Sequence, residues 1–86
     1  MRVYVPSPLC TYTREATSVD AAGISVAELL DDLDRRYPGI RFRIINEQDE
    51  IRRHIKIFIN REQAQDLSAP LRAEDEVMIV CALSGG

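Results

Sequence analysis

The chain of 86 residues has no tryptophan, one histidine and two cysteines. With a single imidazole and no Cys-x-x-Cys pair, no metal-ligand cluster is expected. Nucleophilic catalysis is equally poorly supplied. A Cys or Ser nucleophile needs a base and an orienting partner, and His54 opens a strand on the face opposite three isoleucines. No Gly-rich loop after a strand marks a phosphate site. Also absent is any apolar run approaching a membrane span, so no membrane partner is expected. Charge of one sign does not dominate. The net charge of −3 removes the long-range attraction to phosphate that nucleic-acid binding rests on, and nucleic acid is excluded as an expected partner. The opening residues Met1-Arg2-Val3-Tyr4-Val5-Pro6 lack the apolar stretch and small-residue cleavage site of a signal peptide, which predicts a cytoplasmic protein. In that compartment Cys10 and Cys81 are expected as free thiols, Cys81 as a small core residue and Cys10 in a more exposed loop.

What the sequence does contain is an ordinary globular balance, 45% hydrophobic and 29% charged, in a length that supports one small core. Val3 and Val5 alternate with Arg2 and Tyr4, and Thr17, Val19 and Ala21 with Ser18 and Asp20, which predicts a β-hairpin joined through Leu9 to Arg14. A capping box, Ser25 to Glu28, then opens a helix, with Ile24 placed to staple its entry. Val26, Leu29, Leu30, Leu33 and Tyr37 form its buried stripe, Asp31, Asp32, Asp34, Arg35 and Arg36 lie on the solvated side, and Pro38-Gly39 ends it. From Ile40 to Arg53 no clean period appears, and Asn46 to Glu50 reads as a polar loop. His54 to Ile59 is the cleanest strand, a further short strand is expected near Gln63, and Val77 to Leu83 forms the last. The result is an α+β domain, a mixed sheet of four to five strands on one main helix, with the first and last strands parallel at the centre.

After the last strand comes Leu83-Ser84-Gly85-Gly86, expected as a flexible tail on the single domain. Two glycines without Cβ atoms let a chain end thread a narrow cleft, which suits a carboxylate that another protein must reach. No other group in the sequence is chemically unusual.

Gly23-Ile24-Ser25-Val26-Ala27-Glu28-Leu29-Leu30, with Leu33 and Tyr37-Pro38-Gly39, resembles the helix of the MoaD/ThiS family of ubiquitin-like sulfur carriers. Phe58-Ile59-Asn60 resembles the middle strand and turn, Pro70-Leu71 through Val77 the approach to the last strand, and Leu83-Ser84-Gly85-Gly86 the terminal signature. Cys81 stands where the family often has proline, and Asn60-Arg61 replaces the usual Asn-Gly turn. The resemblance implies a β-grasp fold and a non-enzymatic carrier without a bound cofactor. An ATP-using, E1-like partner would adenylate the Gly86 carboxylate, and sulfur would then give a thiocarboxylate. Leu83, Ser84 and Gly85 would be the partner-binding tail, and the sheet face with Phe58, Met78 and Val80 the docking patch. The long Arg41–Arg53 segment favours molybdopterin-synthase-type or amino-acid-biosynthesis-type carriers over the compact thiamine type. The leading reading is the small subunit of molybdopterin synthase, working with the large catalytic subunit. The alternatives are sulfur donation in another pathway, such as cysteine or thiamine synthesis, and a ubiquitin-like interaction module or protein modifier.

Overall fold

The computed structural model describes residues 1–82. Its elements run β1 (Arg2–Tyr4), a 3-10 helix (Ser7–Thr13), β2 (Ser18–Asp20), α1 (Val26–Arg36), α2 (Ile40–Ile44), β3 (Ile55–Ile59), β4 (Glu62–Gln63) and β5 (Glu76–Cys81). Five strands form one mixed sheet in the order β2-β1-β5-β3-β4. The first strand lies antiparallel to β2 and parallel to β5, so the first and last strands are central neighbours as expected. On the other side β3 runs antiparallel to β5 and turns back into β4, the short strand anticipated near Gln63. Strand alternation sends Val3, Val19, Ile55, Ile57, Val77 and Ile79 to one face, where none is more than 9% exposed. They share a single core with Val26, Leu29, Leu30 and Leu33, the stripe of α1.

The Ser25 hydroxyl caps α1 by accepting the Glu28 N–H at 3.3 Å. The reciprocal bond is displaced, because the Glu28 carboxylate accepts from the Ile24 N–H at 3.5 Å rather than from Ser25. Nor does Ile24 act as a staple. The chain there pairs with residues 69–71, with Ser25 opposite Pro70 and the Ile24 carbonyl accepting the Leu71 N–H, and the Ile24 side chain is 72% exposed.

Two of the three acidic residues assigned to the solvated side of α1 have structural tasks instead. The buried Asp32 carboxylate accepts the Ala22 N–H at 2.9 Å and bonds from Arg35 at 2.6 Å and Arg36 at 2.9 Å, which ties the chain after β2 to the helix. These bonds, the Ala22 N–H foremost, hold its pKa below the ordinary 3.8. Asp34 accepts the Gly39 and Arg41 N–H groups at 3.0 and 3.1 Å, satisfying the start of α2.

That second helix is a departure from the expected irregular stretch. Ile40 and Ile44, followed by Ile45, are at most 1% exposed and join the core. Five residues give little more than one turn, too few for a period to show in the sequence. The Glu47 to Glu50 stretch is exposed, as a polar loop should be.

The connection at Leu9 to Arg14 is likewise ordered, a 3-10 helix that buries Leu9, Cys10 and Thr13. Cys10 is therefore not the exposed thiol of the sequence reading. It is 6% exposed, with its Sγ 3.8 Å from the Val5 carbonyl and 3.5 Å from that of Pro6. Cys81, expected in the core, is half-buried at the end of β5.

Candidate functional site

The face of the sheet turned away from the core gathers Phe58, Met78 and Val80, the three residues expected from sequence to form a docking patch. In the β3–β5 register Phe58 opposes Met78 and Lys56 opposes Val80, while the β1–β5 register sets Tyr4 beside Met78. Period-two alternation puts Phe58, Met78, Val80 and Tyr4 on the same side, opposite the isoleucines. Met78 is 48% exposed, and Phe58, Val80 and Tyr4 are half-buried. A shallow hollow lined by Tyr4, Phe58, Asn60, Arg61, Glu76 and Met78 lies at one end of this patch. A second hollow, flanked by Pro6, Pro8 and Thr17, begins at Met78 and runs to Val80 and Cys81.

The patch thus leads along β5 toward the tail, whose first residue follows Ala82. The Ala82 N–H donates to the His54 carbonyl at 2.7 Å, so the sheet holds the chain in register up to that point. Leu83, Ser84, Gly85 and Gly86 lie outside the described residues.

Polar groups at the rim are mostly satisfied within the fold. The Tyr4 hydroxyl donates to Glu76 at 3.4 Å, and an Arg2 guanidinium nitrogen donates to the Ser18 hydroxyl at 3.0 Å. Asp75 accepts the Arg72 N–H at 2.8 Å and the Asn60 amide at 2.7 Å, which lower its pKa in that order of importance. Among the described residues no group of three or more His, Cys, Asp or Glu side chains could hold a metal ion, and no helix is long and apolar enough to cross a membrane. The arrangement is a partly exposed apolar sheet face that borders the end of β5.

The sequence reading placed Phe58, Met78 and Val80 together on this face, as the strand registers do, and left out Tyr4 and Arg61, which line the same patch. Tyr4 was signalled by the same alternation that placed Val3 and Val5 inside. Arg61 carried the signal of a non-glycine residue at a turn position that usually takes glycine.

A mixed sheet in which the first and last strands run parallel as neighbours, packed over one principal helix, defines a β-grasp, ubiquitin-like protein. The chain belongs to the ThiS family, whose model matches residues 3–86. This is the family of ubiquitin-like sulfur carriers that the sequence resembles, non-catalytic proteins that act with partner enzymes. The chain is 28% identical over 89 residues to the sulfur carrier protein CysO of Mycobacterium tuberculosis, covering 98% of this chain and 96% of that one. It is similar to a chain in the crystal structure of the Amycolatopsis orientalis BexX/CysO complex, with 33% identity, a TM-score of 0.91 and coverage of 99% and 98%. It is also similar to small archaeal modifier protein 1 from Haloferax volcanii, with 27% identity, a TM-score of 0.79 and coverage of 100% and 98%.

Proposed function

We propose that this protein is a cytoplasmic sulfur carrier whose Gly86 carboxylate is adenylated by an ATP-using, E1-like enzyme, converted to a thiocarboxylate and used as the sulfur donor in cysteine synthesis. The observation that carries the reading is the similarity to a CysO sulfur carrier over 98% of the chain, beside a family match that runs through Gly86. That similarity supports the cysteine alternative better than the first preference from sequence, a molybdopterin synthase small subunit paired with its large subunit. A carboxylate is a poor electrophile until one oxygen becomes a good leaving group. Attack of the carboxylate on the α-phosphorus of ATP expels pyrophosphate, and sulfide then displaces AMP to leave the sulfur on the Gly86 carbonyl carbon. Metal and charge stabilisation belong to the activating site.

In this reading Leu83, Ser84 and Gly85 enter the activating cleft as an extended segment, held through main-chain hydrogen bonds, while Phe58, Met78 and Val80 seat the domain. The presence of a similar chain in the BexX/CysO complex supports assembly of such carriers with a partner protein.

Deleting Gly86, or adding one residue after it, abolishes ATP–pyrophosphate exchange with the activating enzyme and leaves the thermal midpoint unchanged. Exchange at the full rate in either variant refutes the terminal-carboxylate mechanism. The sulfur itself is located by mass spectrometry of a variant with both Cys10→Ala and Cys81→Ala. The gain of one sulfur for one oxygen is expected in a fragment containing Gly86. A double variant that folds and is adenylated but never gains sulfur moves the chemistry to a thiol. The likeness to a small archaeal modifier protein supports a second reading, attachment of Gly86 to lysines of other proteins. Isopeptide-linked Gly-Gly remnants in cellular digests distinguish it.

A further inference from the structure

The turn between β3 and β4 holds a conformation that its sequence does not favour. Ile59 opposes Glu62, leaving a two-residue loop in which Asn60 has φ 49° and Arg61 has φ 78°. Two positive φ values in a two-residue hairpin loop define a type I′ turn, where Asn followed by Gly is the favoured pair. Asn60 fits this pattern and is further secured. Its side-chain oxygen accepts the Glu76 N–H at 3.0 Å and its amide donates to Asp75 at 2.7 Å, fastening the turn to the start of β5. Arg61 has no comparable justification. It is exposed, in a backbone region that costs an L side chain energy, and it makes no ion pair or hydrogen bond among the described residues.

Its side chain nevertheless lines the hollow with Tyr4, Phe58, Glu76 and Met78. The adjacent acids are already engaged, Asp75 by Asn60 and the Arg72 N–H, and Glu76 by the Tyr4 hydroxyl. The strand registers put Arg2, Lys56 and Glu76 on this same face. With Arg61 the face carries three cations against two carboxylates, Glu76 and, on the far edge strand opposite Arg2, Asp20, although the whole chain carries a net charge of −3. This local reversal of sign suits a partner whose own surface is acidic around an apolar contact.

We propose that Arg61 is a specificity-determining contact, pairing with a carboxylate of the activating enzyme beside an apolar side chain seated between Phe58 and Met78. The inference rests on the outer sheet face being the docking surface. A guanidinium suits the role because its planar fork meets a carboxylate through two parallel hydrogen bonds. The left-handed backbone places Arg61 at the tip of the hairpin, where it makes no ion pair among the described residues.

The test is ATP–pyrophosphate exchange by the activating enzyme from the same organism, using the full chain with Arg61→Gly, Arg61→Lys, Arg61→Glu or Phe58→Ala. Glycine suits the turn, so Arg61→Gly keeps or raises the thermal midpoint, while KM for the carrier rises about tenfold, as for loss of an interface arginine. Arg61→Lys recovers part of that loss, Arg61→Glu deepens it, and added salt narrows the gap between wild type and Arg61→Gly. An unchanged KM for Arg61→Gly overturns the inference. If Phe58→Ala still raises KM in that case, the docking face stands without Arg61; if neither variant changes KM, the docking face falls as well. Sedimentation supplies the remaining arm: a dimer of the wild-type chain that Arg61→Gly dissolves assigns the contact to a second copy and also overturns the inference.

Discussion

The two faces of the sheet are made by the same strands and differ in what their apolar side chains do. On the inner face Val3, Ile57, Val77 and Ile79 are at most 2% exposed and share a core with α1. Their outer-face neighbours Tyr4, Phe58, Met78 and Val80 are largely apolar as well, yet they remain partly open to water. Burial on the inner face stabilises the fold, since each fully buried aliphatic side chain contributes about 1.5–3 kcal/mol. Apolar area left on the outer face contributes little to folding and is available for a partner. One register thus separates stability from recognition by a single residue step.

The sharpest way to break the inner half is to empty it. Leu30→Ala or Leu33→Ala, both at positions no more than 1% exposed, removes about 2–5 kcal/mol, read from urea midpoints at constant slope. A loss below about 0.5 kcal/mol at both sites means that the helix stripe is not the core.

A smaller loss follows from crowding the entry to that helix. A Cβ on Gly23 would lie 2.5 Å from the Leu29 nitrogen and 2.9 Å from the Glu28 carbonyl carbon, atoms of the backbone that no side-chain rotation can clear. Gly23→Ala therefore forces the first turn of α1 away from the preceding chain and costs about 1–3 kcal/mol, the usual range for overpacking. An unaltered midpoint means that this approach relaxes freely.

How much of this was legible depended on whether the signal was local. The inner face could be read from alternation in His54 to Ile59, and α1 from its stripe and the Ser25 cap, because each uses a period carried within one segment. The outer residues Phe58, Met78 and Val80 followed from the same alternation. Cys10 was misplaced because Leu9 to Arg14 read as an exposed connection, whereas the chain after Pro6 winds into a 3-10 helix that buries it. Ile24 was misplaced because pairing of its neighbour Ser25 with Pro70 is a contact between distant segments. Asp32 was hidden for the same reason, since its N–H donor comes from Ala22 across the sheet-to-helix connection.

Asp32 gives the comparison a pH axis. Its pKa is lowered in the folded protein, so the carboxylate stabilises the fold above the ordinary value near 3.8 and that contribution is lost as pH falls through the folded value. Asp32→Asn cannot titrate. It is expected to melt below wild type at pH 7, with the gap closing progressively below about pH 4. A gap that is constant from pH 7 to pH 3 assigns the effect to shape rather than to the charge.

The smallest expected change in stability is also the one that tests the division of labour most directly. Met78 sits on the central strand β5, opposite Phe58 and beside Tyr4, with nearly half of its surface open to solvent. Met78→Thr keeps a residue with good strand propensity and removes apolar area from the patch. Its urea midpoint should shift by no more than about 0.5 kcal/mol, the range of an ordinary surface substitution. Its KM in adenylation should nevertheless rise, because the removed area is the part a partner would cover. A stability loss as large as that of Leu33→Ala would place Met78 in the core and erase the distinction between the faces. An unchanged KM with an unchanged midpoint would leave the outer patch without a role in activation and move docking elsewhere on the surface.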